Sequence, residues 1–226
     1  MTLSVVPVAE ADGDGDTCAL TFDDGPNGDD TAALLDLLAE HRIRAVFAVV
    51  GAQVRSESGA ELLRRIVREG HVLGNHSTTF DDLGALSLEE ARARIAENSR
   101  LLREALGDPA APIPYFRAPN GNWGRTAEAA VAEGLQPLAV VNTIGDWMTQ
   151  DVEVLTTRLR EAMRPGEVVL VHDGGGSRAG SVAAVRTVVE ERLSAGWRFT
   201  LPRGRRVPGE TVAPAADPPA IPVEKS

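Results

Sequence analysis

Cysteine is nearly absent from this chain of 226 residues, which carries only Cys18. One thiol cannot close an internal disulfide, and thiolate clusters around a metal are excluded with it. Placed in the apolar run Cys18-Ala19-Leu20-Thr21-Phe22, it reads as a small core residue rather than a nucleophile. Aromatics are scarce as well, at five Phe, three Trp and one Tyr, which leaves few platforms for stacking a long polymer. Lysine is reduced to Lys225, so the basic residues are otherwise all arginine. The net charge of −10 lacks the basic footprint that nucleic acid or an anionic membrane surface requires, and neither is expected as a partner. No run approaches the ~18 apolar residues that cross a bilayer. The N-terminus shows neither a basic n-region nor a long apolar h-region. The expectation is a soluble, cytoplasmic protein. Its oligomeric state is not legible.

What is present is ordinary globular material, 43% hydrophobic and 25% charged, enough for one sizeable core. Short apolar runs alternate with helical patterns. Strands are expected at 18–22, 45–50, 71–74, 115–117, 137–141, 168–171 and 198–201, and helices at 30–41, 61–69, 88–106, 125–133, 152–163 and 182–195. Ser87 three residues before Glu90 forms a capping-box pattern ahead of the third helix. Gly107, Gly134 and Gly196 fall where a left-handed helix end suits glycine. The alternation predicts an α/β fold with a parallel sheet, a distorted and incomplete (β/α) TIM-like barrel of about seven strands, with an open doubly wound sheet as the alternative. Residues 1–16 read as a flexible leader, 17–204 as the barrel and 205–226 as a Pro-rich disordered tail. His41 and His71 read as surface residues.

The ionisable residues concentrate at expected strand ends, where such folds gather function. Asp23 and Asp24 end the first strand in Thr21-Phe22-Asp23-Asp24-Gly25-Pro26, and the Gly-Pro turn allows both carboxylates to enter one cavity. His76 follows the third strand in Gly74-Asn75-His76-Ser77-Thr78-Thr79, and Arg117 lies in Phe116-Arg117-Ala118-Pro119-Asn120-Gly121. Asp146-Trp147 and Leu170-Val171-His172-Asp173 follow later strands.

These segments, in this order over about residues 17–201, resemble the five motifs of the polysaccharide deacetylase (NodB-homology) family. The resemblance implies a metal-dependent hydrolase that removes an acyl group, usually acetyl, from an N- or O-acetylated sugar or glycosylated small molecule. It assigns Asp24 and His76 to a divalent metal, Asp23 to the general base and His172 to the general acid. Arg117 would position Asp23, Asp146 would hold His172, Trp147 and Leu170 would wall the acyl pocket, and a backbone N–H near Asn120 would stabilise the oxyanion together with the metal. Zinc is the expected ion, with manganese, cobalt or another divalent ion as alternatives. The few aromatics favour a small or soluble acetylated sugar over a cell-wall polymer. A non-catalytic carbohydrate-binding protein, or an amidase acting on a non-sugar C–N bond, would keep the same barrel.

One position departs from the pattern. The family's metal motif places a second His four residues after the first, and here that residue is Phe80. Asp81 or Asp82 is the expected replacement, giving a site richer in oxygen that admits ions such as manganese; the alternatives are weak binding completed by water or substrate, or a site without metal. Asn120 stands where the family has Tyr.

Overall fold

The computed structural model describes residues 3–204, so the expected tail at 205–226 lies outside the described residues. Seven strands and six α-helices alternate: β1 (Thr17–Asp23), α1 (Gly28–Glu40), β2 (Val46–Val49), α2 (Glu57–Arg68), β3 (Val72–Asn75), α3 (Leu88–Leu106), β4 (Tyr115–Phe116), α4 (Thr126–Ala132), β5 (Gln136–Pro137), α5 (Val152–Ala162), β6 (Glu167–His172), α6 (Ala179–Ser194) and β7 (Arg198–Thr200). The sheet runs β5-β4-β3-β2-β1-β6, with β7 paired to the first half of β1, and every ladder is parallel. This is a distorted, incomplete (β/α) barrel.

The irregularity has a local cause at β5, which is shorter than the run 137–141 suggests. Pro137 faces away from β4, between the Gln136 and Leu138 N–H groups that donate toward it, and offers no donor on that open side. After it the chain changes partners: the Leu138 N–H donates to Phe116 O, whereas the Ala139 N–H donates to Val8 O. The gap between β5 and β6 is bridged by irregular chain, through Thr143 to Leu170 and through the Leu170 N–H to Asn142 O. Residues before β1, expected as a flexible leader, take part in this closure. Val8 bridges Leu138, Glu10 bridges Glu167, and Ala11 is buried against Pro202.

Strand alternation sorts side chains between two cores. Cys18, Leu20 and Phe22 of β1 face the helices together with Phe47, Val49, Leu73, Phe116, Val169 and Val171. Ala19, Val46, Val72, Tyr115, Leu138 and Val168 fill the barrel floor. The same parity sends Asp23, Arg117 and His172 inward above that floor. Asn75 points the other way: its side chain donates to Ile95 O and Ser99 Oγ of α3.

Helix α3 starts with the expected capping box. Ser87 Oγ accepts from the Glu90 N–H, and Glu90 Oε2 accepts from the Ser87 N–H. Its end is the left-handed Gly107 at φ 70°. Ser87→Ala is expected to cost about 1 kcal/mol, read as a lower urea midpoint at unchanged slope. An unmoved midpoint would mean packing alone fixes this helix start. His71 corrects a sequence expectation: it is buried, accepting the Ala45 N–H at Nδ1, and its ring meets Phe47 edge-on at 5.2 Å. Burial pushes its pKa down to about 4, so it stands as a neutral imidazole between β2 and β3.

Candidate active site

Chain direction alone would separate Asp23 from Asp24, and the backbone reunites them. Asp24 adopts φ 76°, a left-handed turn, before Gly25-Pro26, and both carboxylates line a cavity of about 680 Å³ at the carboxyl ends of the strands. Two glycines make this approach possible. A Cβ at Gly25 would lie 2.0 Å from Asp173 Oδ2, and one at Gly175 would lie 2.7 Å from Asp24 Oδ2.

Arg117, only 1% exposed, lies beneath the cavity. Its Nη1 donates to Asp23 Oδ1 at 2.5 Å and its Nη2 to Thr21 Oγ1 at 2.9 Å, while Thr21 in turn donates to Val169 O. The Asp23 carboxylate therefore has one oxygen fixed and Oδ2 turned toward His76, 3.9 Å from Nε2.

His76 has its tautomer set by a carbonyl. Arg117 O can only accept, so Nδ1 carries the proton it donates across 2.9 Å. Nε2 then faces Asp24 Oδ1 at 3.3 Å. Burial opposes charge on this ring, but the Asp23 and Asp24 carboxylates outweigh it and hold the His76 pKa above its ordinary value. The Asp24 carboxyl responds in the opposite sense. Burial would raise it, and His76, His172 and Arg178 together hold it low.

On the neighbouring strand β6, in register with Asp23, His172 Nδ1–H donates to Asp146 Oδ1 at 2.7 Å, and the His172 backbone N–H donates to Oδ2 at 2.9 Å. Ser181 Oγ supplies a third donor to Asp146 at 2.8 Å. Asp146 is 0% exposed. Burial works against ionisation of both partners, yet their hydrogen bond and mutual attraction raise the His172 pKa and lower that of Asp146. Trp147 packs edge-on against the His172 ring at 5.4 Å and lines the cavity with Leu170 and Asn120. The Asn120 side chain donates to Phe80 O at 3.1 Å.

All nine residues singled out from the sequence are thus brought to one place, seven on the cavity wall, with Arg117 and Asp146 behind it. The expected replacement ligands are not. Asp81 accepts from Thr79 Oγ1, and Asp82 accepts from the Gly84 N–H and the Asn122 side chain. Neither lines the cavity, because those local hydrogen bonds turn both carboxylates away from it. Phe80 does line it, 44% exposed. Among the described residues, no group of three or more His, Cys, Asp or Glu is placed to hold a metal ion. The donors that remain, a carboxylate and an imidazole Nε2 whose Nδ1–H is tied to a carbonyl, are nevertheless a chemically suitable pair for a divalent cation. Neither carboxylate can donate to Nε2, so a positive charge belongs between them, either a proton or an ion.

Two residues were missed. Asp173 lies beneath Gly25, with Oδ2 accepting from Thr31 Oγ1, and burial pushes its pKa up to about 7. Arg178, after the glycine turn, joins the cavity wall. The run Gly174-Gly175-Gly176 between them is the one signal in the sequence of a tightly packed turn.

A family model for polysaccharide deacetylase matches residues 10–137. A chitooligosaccharide deacetylase of Sinorhizobium fredii is 36% identical over 156 residues, 69% of this chain and 71% of that protein. The chain belongs to the polysaccharide deacetylase family. A family 4 acetyl xylan esterase from Clostridium thermocellum, solved with a cobalt ion, superposes with a TM-score of 0.70 at 28% identity, over 82% of this chain and 87% of that one. BA3943 of Bacillus anthracis, a CE4 family pseudoenzyme, has a TM-score of 0.77 over 88% of this chain and 68% of that one. At 21% identity that likeness is one of fold alone. Among the described residues, no helix is long and apolar enough to cross a membrane.

Proposed function

We propose that this chain is a divalent-metal-dependent hydrolase that removes acetyl groups from an acetylated amino sugar, with chitooligosaccharides as the first substrates to test. The observation that carries the reading is two ion pairs side by side at one cavity wall: a carboxylate fixed by a buried arginine, Asp23 with Arg117, and on the adjacent strand an imidazole fixed by a buried carboxylate, His172 with Asp146.

Asp23 acts as base. Arg117 occupies one of its oxygens, leaving Oδ2 to take a proton from water as the water oxygen bonds to the acyl carbon. His172 acts as acid. Its charged form is favoured by Asp146, so it can deliver a proton to the departing amine and break the C–N bond. Asp24 and His76 hold the ion, whose contribution when bound is to polarise the acyl carbonyl and acidify water. Trp147 and Leu170 accept the acyl methyl group against apolar surface, and a main-chain N–H near Asn120 is assigned to the developing oxyanion. Zinc, manganese and cobalt all suit a carboxylate–imidazole pair completed by water or substrate.

The test is acetate release from tri-N-acetylchitotriose. Activity is expected to fall to background in excess EDTA and to return with added zinc, manganese or cobalt. Asp24→Ala is expected to abolish both turnover and ion binding in equilibrium dialysis. Oligosaccharide binding that ignores EDTA, without acetate release, would replace this reading with a non-catalytic carbohydrate-binding protein.

A further inference from the structure

Arg178 is 5% exposed and spends its guanidinium on main-chain carbonyls rather than on a carboxylate. Nη1 donates to Asp146 O at 2.8 Å, Nε to Gly174 O at 2.6 Å and Nη2 to Gly175 O at 3.3 Å. Its own N–H donates to Asp30 Oδ2 at 2.7 Å, which anchors it to the start of α1. These bonds join two loops that share no strand pairing at this point, the one after β6 and the one before α5. The loop before α5 carries Asp146, the partner of His172, and the loop after β6 packs on Asp24. Asp146 presents both oxygens to His172, so a shift of its main chain would misalign two hydrogen bonds at once. The 174–176 turn lies against Asp24 and leaves no room for a side chain at Gly175.

We propose that Arg178 is a positioning residue that fixes His172 through the Asp146 main chain and Asp24 through the glycine turn, thereby setting the spacing between proton donor and ion-holding pair. The proposal deepens the hydrolase reading and rests on it for its kinetic arm. A guanidinium suits the role because its rigid fork reaches three carbonyls at once, which an ammonium on a flexible stem cannot do with the same geometry.

The experiment compares wild type, Arg178→Met and Arg178→Lys on tri-N-acetylchitotriose, with circular dichroism to confirm the fold. Arg178→Met is expected to lower kcat by about 10–100-fold, the range for residues that orient active groups, with little change in KM; Arg178→Lys is expected to recover part of the loss. A second readout needs no turnover. The downfield proton resonance of the His172 Nδ1–H, assigned by its absence in His172→Gln, should be lost or broadened in Arg178→Met and retained in Arg178→Lys. An unchanged resonance with unchanged kcat in a folded Arg178→Met protein would overturn the proposal. So would a raised KM at unchanged kcat, which would make Arg178 a substrate contact. If Arg178→Met does not fold, Arg178→Lys decides: wild-type kcat and resonance together overturn the proposal, and a partial loss of kcat supports it. Absence of acetate release by the wild type would sink the hydrolase reading, while the resonance still judges Arg178.

Discussion

Asp23→Asn is expected to lower kcat by about 10²–10⁴-fold, the usual contribution of a positioned general base. The amide preserves the shape of the side chain and can still accept from Arg117, but it cannot take a proton from water. The substitution also has a structural consequence. Arg117 is fully buried, and its counter-charge is Asp23. Removing one partner of a buried pair leaves the other uncompensated, at a cost of about 3–5 kcal/mol. Activity must therefore be measured well below the unfolding midpoint of the variant, with ion binding as the control. Asp24 and His76 keep their places in Asp23→Asn, so ion binding should persist while turnover is lost. Near wild-type kcat in a folded, ion-loaded variant would remove Asp23 from the base role.

The barrel was legible because its signals are local. Each strand is a short apolar run, and each helix carries its own periodicity, cap and terminal glycine, as at Ser87 and Gly107. Position within the alternation then predicted which polar residues face the cavity. Interactions made through main-chain atoms left no such trace. Val8 and Glu10 pair by backbone, so nothing in their side chains distinguishes them from a loose leader. Arg178 acts on carbonyls, which every residue has, and a lone arginine after three glycines carries no motif. His71 was misplaced because its partner is a backbone N–H across the sheet.

Asp81 and Asp82 failed for a different reason. They are the carboxylates nearest to Phe80 along the chain, but adjacency in sequence does not fix direction in a loop. Thr79 and Gly84 offer each of them a partner two residues away, and those short-range bonds are made at little entropic cost. Phe80 lines the cavity in their place.

That arrangement makes Phe80→His the most informative gain of function. The Phe80 backbone is held by Asn120 through the carbonyl, an interaction indifferent to the side chain, so a histidine there should enter the same cavity. Phe80 is already half-exposed, and replacing it forfeits little buried surface. A third protein donor brings the site to the number typical of catalytic zinc. The expected result is a rise in zinc affinity of at least about 100-fold, since even residues that merely orient ligands change affinity by ~10–100-fold. Competition with a chromophoric chelator reads this directly, without reference to turnover. The gain should vanish when His76→Ala is added, because both rings must address one ion. An affinity unmoved by Phe80→His would show that the side chain at this position does not reach the Asp24–His76 pair.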